Sequence, residues 1–164
     1  MKIAARIFGL LAFTLGFGAM SLSSALAADA MGDATFINPN EIKWGGPPPG
    51  LPKGSKLAVL YGDPGKAGPF VMRAMLPSGY KIPPHWHTST ENLTVIAGTL
   101  YLGLGDTMDP AHAHVLKAGG FHSMPGKAHH SAYNKGPMIL QISGDGPFDI
   151  TYVNPADDPR NAKK

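Results

Sequence analysis

Two histidines and a glutamate lie close together in the run GYKIPPHWHTSTENLTVIAG, residues 79–98. His85 and His87 are two apart, so on an extended strand both imidazoles leave the same face. Glu91 follows four residues after His87. Two nitrogen ligands and one oxygen ligand suit a divalent transition metal with open positions. Such a site can do chemistry or can simply hold an ion.

The elements that must position these residues are strands. Strand-like runs recur with turns between them: Leu57–Tyr61, Phe70–Leu76, Ile82–His87, Leu93–Ile96 and Leu100–Leu104. Ala113–Lys117, Phe121–Met124, His130–Asn134, Met138–Ser143 and Phe148–Val153 complete the set. Ala97-Gly98-Thr99 reads as a hairpin. Thr107–His112 could form one helical turn, opened by Asp106 as a cap. Many short strands at close spacing predict an all-β sandwich or closed barrel. A βαβ arrangement needs helices between the strands, and there is no room for them. Before the strands, FINPNEIKWGGPPPGLPKGSK reads as an extended arm, because Pro47–Pro49 exclude helix or central strand. Phe36, Ile37, Ile42 and Trp44 could anchor the arm to the domain or carry it to a partner subunit.

At the N-terminus, Lys2 and Arg6 precede an apolar run that leads to Ala25-Leu26-Ala27, the pattern of a cleaved secretory signal. The expected organisation is a signal over 1–27, a Pro-rich arm over 28–56, a barrel over 57–153 and a flexible polar tail over 154–164. Cleavage would leave no stable membrane anchor. The formal charge of +3 includes Lys2 and Arg6, so the exported part is near +1. Its lysines are scattered, and nothing resembles a footprint for nucleic acid. The chain has no cysteine. That excludes disulfides, cysteine nucleophiles and thiolate zinc sites.

The spacing of nine residues carries a resemblance. Gly79, His85, His87, Glu91 and Gly98 fit the first cupin motif, and Gly119, Pro125, His130 and Asn134 fit the second. One position departs: the glycine expected after Pro-x falls on Lys127, with Gly126 one place early, so an altered turn is expected there. Over residues 55–153 the chain resembles a single-domain cupin, more narrowly a group of small exported bacterial cupins. The resemblance implies a double-stranded β-helix, or jelly-roll barrel. It also implies a fourth ligand, His130, beside His85, His87 and Glu91. Three imidazoles disfavour calcium and magnesium. The resemblance favours manganese or iron, with zinc or nickel compatible.

Other residues are candidates for the pocket. Tyr101 and His122 lie on strands beside the motifs, with His122 either near the ligands or in core or surface. Gln141 interrupts an apolar strand and needs a partner if buried. Arg73 either meets an anion inside the barrel or faces water. His129 should face away from His130, and His112 and His114 should be solvated. Met72, Met75, Met124 and Met138 read as core filler. Ser89 and Ser131 lie in no nucleophile-elbow pattern. Glu41 and Glu91 are the only glutamates, so a carboxylate pair for glycosidic chemistry is missing. Two functions remain open. One is a metal-dependent oxygenase or isomerase acting on a small molecule in the bacterial periplasm. The other is a non-catalytic periplasmic protein that binds or senses a metal or small metabolite. Trp44 and its arm make a homodimer the expected assembly.

Overall fold

A computed structural model describes residues 34–162. The signal expected over 1–27 lies outside the described residues. Ten strands follow one another: β1 (Lys56–Tyr61), β2 (Gly68–Leu76), β3 (Lys81–Trp86), β4 (Glu91–Ala97) and β5 (Thr99–Leu104). Then come β6 (His114–Lys117), β7 (Phe121–Met124), β8 (His130–Tyr133), β9 (Met138–Gly146) and β10 (Thr151–Tyr152). They form two antiparallel five-stranded sheets, ordered β1-β2-β9-β4-β7 and β10-β3-β8-β5-β6. The chain alternates between the sheets, so strands distant in sequence become neighbours. This is the all-β jelly roll expected from the sequence. Among the described residues no helix is long and apolar enough to cross a membrane.

The period of two builds the core. Phe70, Met72, Ala74 and Leu76 alternate with outward residues on β2, and Met138, Leu140 and Ile142 do so on β9. With Leu93, Val95, Leu100 and Tyr80 they form one buried cluster between the sheets. This cluster fills part of the barrel. The paired histidines and Glu91 lie on the same inner surface beyond it.

Several expectations need correction. Phe148–Val153 forms a strand only at Thr151–Tyr152. The preceding residues are committed to other contacts, described below. Thr107–His112 forms no helix. Asp109, rather than Asp106, organises the turn there, accepting from the Ala111 N–H at 2.9 Å. The tail expected to be loose instead forms two 3-10 turns, Pro155–Asp157 and Pro159–Asn161. Asn154 and Asp158 cap them by accepting from the Ala156 and Arg160 N–H groups. In the arm, Gly45 pairs with Leu57 beside β1, while Phe36 and Ile37 stay exposed rather than anchoring.

The turn before β8 is held by two main-chain hydrogen bonds. Ala128 N–H bonds to Pro125 O at 3.1 Å, and Lys127 N–H to His87 O at 2.7 Å. Lys127 has φ 65°, in the left-handed region that favours glycine. Gly126 is needed for a different reason: a Cβ there would stand 2.4 Å from Thr88 O. Lys127 therefore carries the backbone cost of this turn. Lys127→Gly should raise stability by about 1 kcal/mol, the usual left-handed penalty for a residue with a Cβ. Urea unfolding checks it: an unchanged or lower midpoint would show that the turn stores no strain.

Candidate metal centre

β3 turns His85 inward, and His87 follows directly after it. β4 begins at Glu91, and β8 begins at His130, which is registered opposite His85. All four side chains are buried. The ring centroids of His85 and His130 are 4.2 Å apart, those of His85 and His87 5.0 Å, and those of His87 and His130 5.3 Å. One nitrogen from each of the three rings lies within 4.8 Å of the others.

The rings are held by the main chain. Nδ1–H of His85 donates to Pro83 O at 2.7 Å, that of His87 to Asp149 O at 2.5 Å, and that of His130 to Ala128 O at 3.0 Å. In a neutral ring this fixes the proton on Nδ1 and leaves the Nε2 lone pair for a cation. His87 Nε2 is buried with no hydrogen-bond partner. A buried lone pair without a donor is costly for the protein alone and is what a metal ligand requires. The donor set therefore fits a divalent transition metal.

Glu91 stands beside this triplet. Its carboxylate oxygens lie 3.5 Å from His130 Nε2, 3.8 Å from His87 Nε2 and 3.9 Å from His122 Nε2. Burial would raise its pKa, but hydrogen bonding to His130 and the charges of His87, His130 and His122 outweigh it and hold the carboxyl at about 2. His85 is pushed down to about 3, mainly by burial and further by His130 and His87. Burial also lowers His87 and His122, against the pull of Glu91. For His130 the hydrogen bonding and charge of Glu91 overcome burial, and its pKa rises. Of the three rings near Glu91, only in His130 does the carboxylate raise the pKa above its ordinary value.

The pocket candidates divide. His122 faces inward, registered opposite Leu93, and neither ring nitrogen has a partner. The other three lie on outer sheet faces. Arg73 and Gln141 are registered opposite each other, and Arg73 Nε–H donates to Gln141 Oε1 at 3.1 Å. Tyr101 stacks on Tyr133 with centroids 4.8 Å apart, and Lys135 Nζ sits 4.8 Å from its ring centroid. Each falls between inward neighbours, Met72 and Ala74 for Arg73, Leu140 and Ile142 for Gln141, Leu100 and Leu102 for Tyr101, so the pleat turns it out. His129 is half-exposed and bonds Asp106 at 2.5 Å, while His112 and His114 are exposed.

The sequence missed the cavity. A largely apolar space of about 670 Å³ opens beside the ligand cluster and touches it at His87. Phe148 stacks on the His87 ring there, with centroids 4.4 Å apart and planes 20° from parallel. Met72, Val59 and Ile150 line it, with Pro47–Leu51 of the arm and Arg160 closing the rim. No periodic pattern announces the arm as a wall. The prolines, read as breakers of regular structure, were the available signal.

Residues 72–143 match the family of the cupin domain. The chain carries a cupin domain on a cupin fold. Three solved structures illustrate how widely the cupin fold is shared. The polyketide cyclase RemF from Streptomyces resistomycificus is 16% identical, with a TM-score of 0.64 over 78% of this cupin and 91% of that chain. A proposed acetylacetone dioxygenase from Methylibium petroleiphilum PM1 is 17% identical, with a TM-score of 0.60 over 79% of this cupin and 88% of that chain. KdgF from Halomonas sp. is 17% identical, with a TM-score of 0.53 over 68% of this cupin and 94% of that chain. At such identity the likeness shows the fold alone. No curated protein sequence matches this cupin.

The shifted groups set a pH dependence. A histidine whose folded pKa is depressed costs stability once the unfolded chain protonates, so His85 weakens the fold as pH falls from 6.5 toward about 3. His87 and His122 act in the same direction. Glu91 contributes stability above its ordinary 4.5, lost as pH falls through about 2. His130 opposes them: its contribution is full below 6.5 and lost as pH rises through its raised value. Three histidines and Glu91 outweigh one, so the chelator-treated protein should unfold at lower urea at pH of about 4.5 than at about 7. His85→Gln should flatten that dependence. A midpoint that rises on acidification would contradict the assignment.

Proposed function

We propose that this cupin is an exported, divalent-metal-dependent enzyme, an oxygenase or isomerase acting on a small molecule. The observation that carries the reading is the set of three imidazoles pinned through Nδ1, with Nε2 atoms converging beside an ionised Glu91 and an apolar cavity. His85, His87, Glu91 and His130 are the ligands in this reading. Manganese or iron is favoured over zinc or nickel by the family likeness. A bound ion supplies Lewis acidity and a template for the reacting oxygen atoms.

The chain's own residues do the rest. Asp149 O and Phe148 fix the His87 ring from two sides. Phe148 and Met72 exclude water from the inner end of the cavity. His122 acts as a positioning residue, its ring packed against Glu91. Export rests on the Lys2, Arg6 and Ala25-Leu26-Ala27 pattern and leads to the bacterial periplasm. One observation favours a second reading, a non-catalytic periplasmic binding or sensing protein: the cavity reaches the cluster at His87 and at no other ligand. The assembly is a homodimer, supported by the 88% exposure of Phe36 at the start of the arm.

Three measurements test these statements. Protein purified without added metal should contain close to one equivalent of manganese or iron and should consume dioxygen with a diketone or catechol. His85→Ala with His87→Ala should lower metal content at least tenfold. Unchanged metal in that variant would remove the site assignment, whereas stoichiometric metal with no turnover of any such compound would leave the binding protein. Sedimentation at micromolar concentration should give a dimer that Phe36→Ser weakens. A monomeric parent protein would refute the arm-mediated assembly.

A further inference from the structure

We propose that the cavity beside His87 selects a neutral, largely apolar small molecule, and that this selectivity resides in the two flanks of the cupin domain. The proposal rests on the metal-dependent reading only for what happens to the bound molecule, since the cavity binds it with or without an ion.

Size and lining come first. About 670 Å³ is ample for a molecule of one or two rings. Val59, Met72, Phe148, Ile150 and the prolines of Pro47–Pro49 supply most of the wall. The charged groups on the wall are largely committed to partners. The Asp149 carboxylate accepts from the Thr88 N–H and hydroxyl, each at 2.7 Å. Arg160 donates from Nε and Nη2 to the Asp158 carboxylate at 2.7–3.0 Å, and from Nη2 to Ile150 O at 3.0 Å. An anionic ligand would find only Nη1 of Arg160 uncommitted, beside a guanidinium whose charge Asp158 already offsets. A polyhydroxylated ligand would leave its hydroxyls unpaired against apolar side chains, which desolvation penalises. A neutral apolar molecule meets neither cost.

The wall is also built rather than incidental. Of the lining residues, Met72 and His87 lie within the matched domain, residues 72–143, and the rest come from outside it. The arm is tied down by Tyr152 Oη–H to Gly50 O at 2.9 Å and Tyr80 Oη–H to Pro52 O at 2.5 Å. Gly50 allows this close seat: a Cβ there would approach Ile150 Cγ2 to 2.8 Å. The C-terminal turn holds Arg160 against the same place. Arm and C-terminal turn together close a space that the ligand motifs alone would leave open.

A pair of fluorophores with the same rings tests the proposal on the full-length protein. N-phenyl-1-naphthylamine is neutral, and anilinonaphthalene sulfonate is its anionic counterpart. The neutral probe should bind once per chain, at least tenfold more tightly than the sulfonate. Val59→Trp, which fills the cavity, should weaken it at least tenfold, and Phe121→Ser on an outer face should leave it unchanged. Leu51→Trp, on the arm, should reproduce the loss should Val59→Trp melt early. Millimolar glucuronate should not displace the probe. Tighter binding of the sulfonate that is lost in Arg160→Gln would overturn the proposal in favour of an anion site, and displacement by glucuronate would overturn it in favour of a polar ligand. Equal probe binding to both tryptophan variants would place the probe elsewhere and refute the cavity. Chelation separates the two readings: probe affinity unchanged within twofold in metal-free protein supports the cavity, whether or not the metal reading survives.

Discussion

Three main-chain carbonyls determine whether this site exists. Each imidazole of the cluster gives its Nδ1–H to one of them, at Pro83, Ala128 and Asp149. A regular sheet consumes its carbonyls in ladder bonds, so carbonyls are free for side chains only where the ladder is interrupted. All three positions are such interruptions. Pro83 lies where the register between β3 and β8 shifts between Ile82 and His85, and a proline cannot donate to a ladder. Ala128 ends the turn that carries Lys127. Asp149 lies in the stretch that does not become strand. The irregular points of the barrel are therefore what orients the three imidazoles, and the regular strands only carry them there.

Electrostatics follows from that orientation. An ionised carboxylate as buried as Glu91 is tolerated only with partners. Against burial, His130, hydrogen-bonded to it, holds its pKa down most, and His87 and His122 add to that. Burial lowers the pKa of His85, His87 and His122, and Glu91 overcomes burial to raise that of His130. A neutral imidazole with its proton fixed on Nδ1 is the form that binds a cation, and the main-chain bonds favour that tautomer in all three rings. The unpartnered Nε2 of His87 and both nitrogens of His122 are the residual cost of that arrangement.

Much of this was legible in the sequence, for identifiable reasons. Strand positions followed from alternation and turn residues, and nine of the ten expected strands formed close to their expected bounds. The approach of His130 to His85 and His87 was legible because two separated motifs had matching spacing. Gln141 and Tyr101 were misplaced as pocket candidates, and Arg73 lies on the outer face, one of the two positions expected for it; parity was readable, since Arg73 sits between Met72 and Ala74 and a regular strand does not turn consecutive side chains inward. Polarity in an apolar run suggested a site, but the Arg73–Gln141 bond across two strands satisfied both groups on the outside. The cavity was not legible because it is made by non-local contacts of aperiodic segments. Tyr152 bonding to Gly50 joins residues from opposite ends of the described chain, and nothing local encodes such a contact.

Phe148–Ile150 shows why the last strand had to be short. Phe148 stacks on His87, the Asp149 carbonyl takes the His87 proton, and the Asp149 carboxylate holds Thr88. Ile150 walls the cavity, and its carbonyl receives Arg160. A strand here would have used those carbonyls in a ladder and turned alternate side chains away from the space. The same three residues therefore belong to the ligand cluster and to the cavity at once. A molecule that presses on Phe148 presses on the ring of His87, and a shift of His87 moves the wall that the molecule meets. The cavity wall and the geometry of the His87 ring are coupled through one short segment that lies outside both motifs, and that segment is where a change in either would be felt by the other.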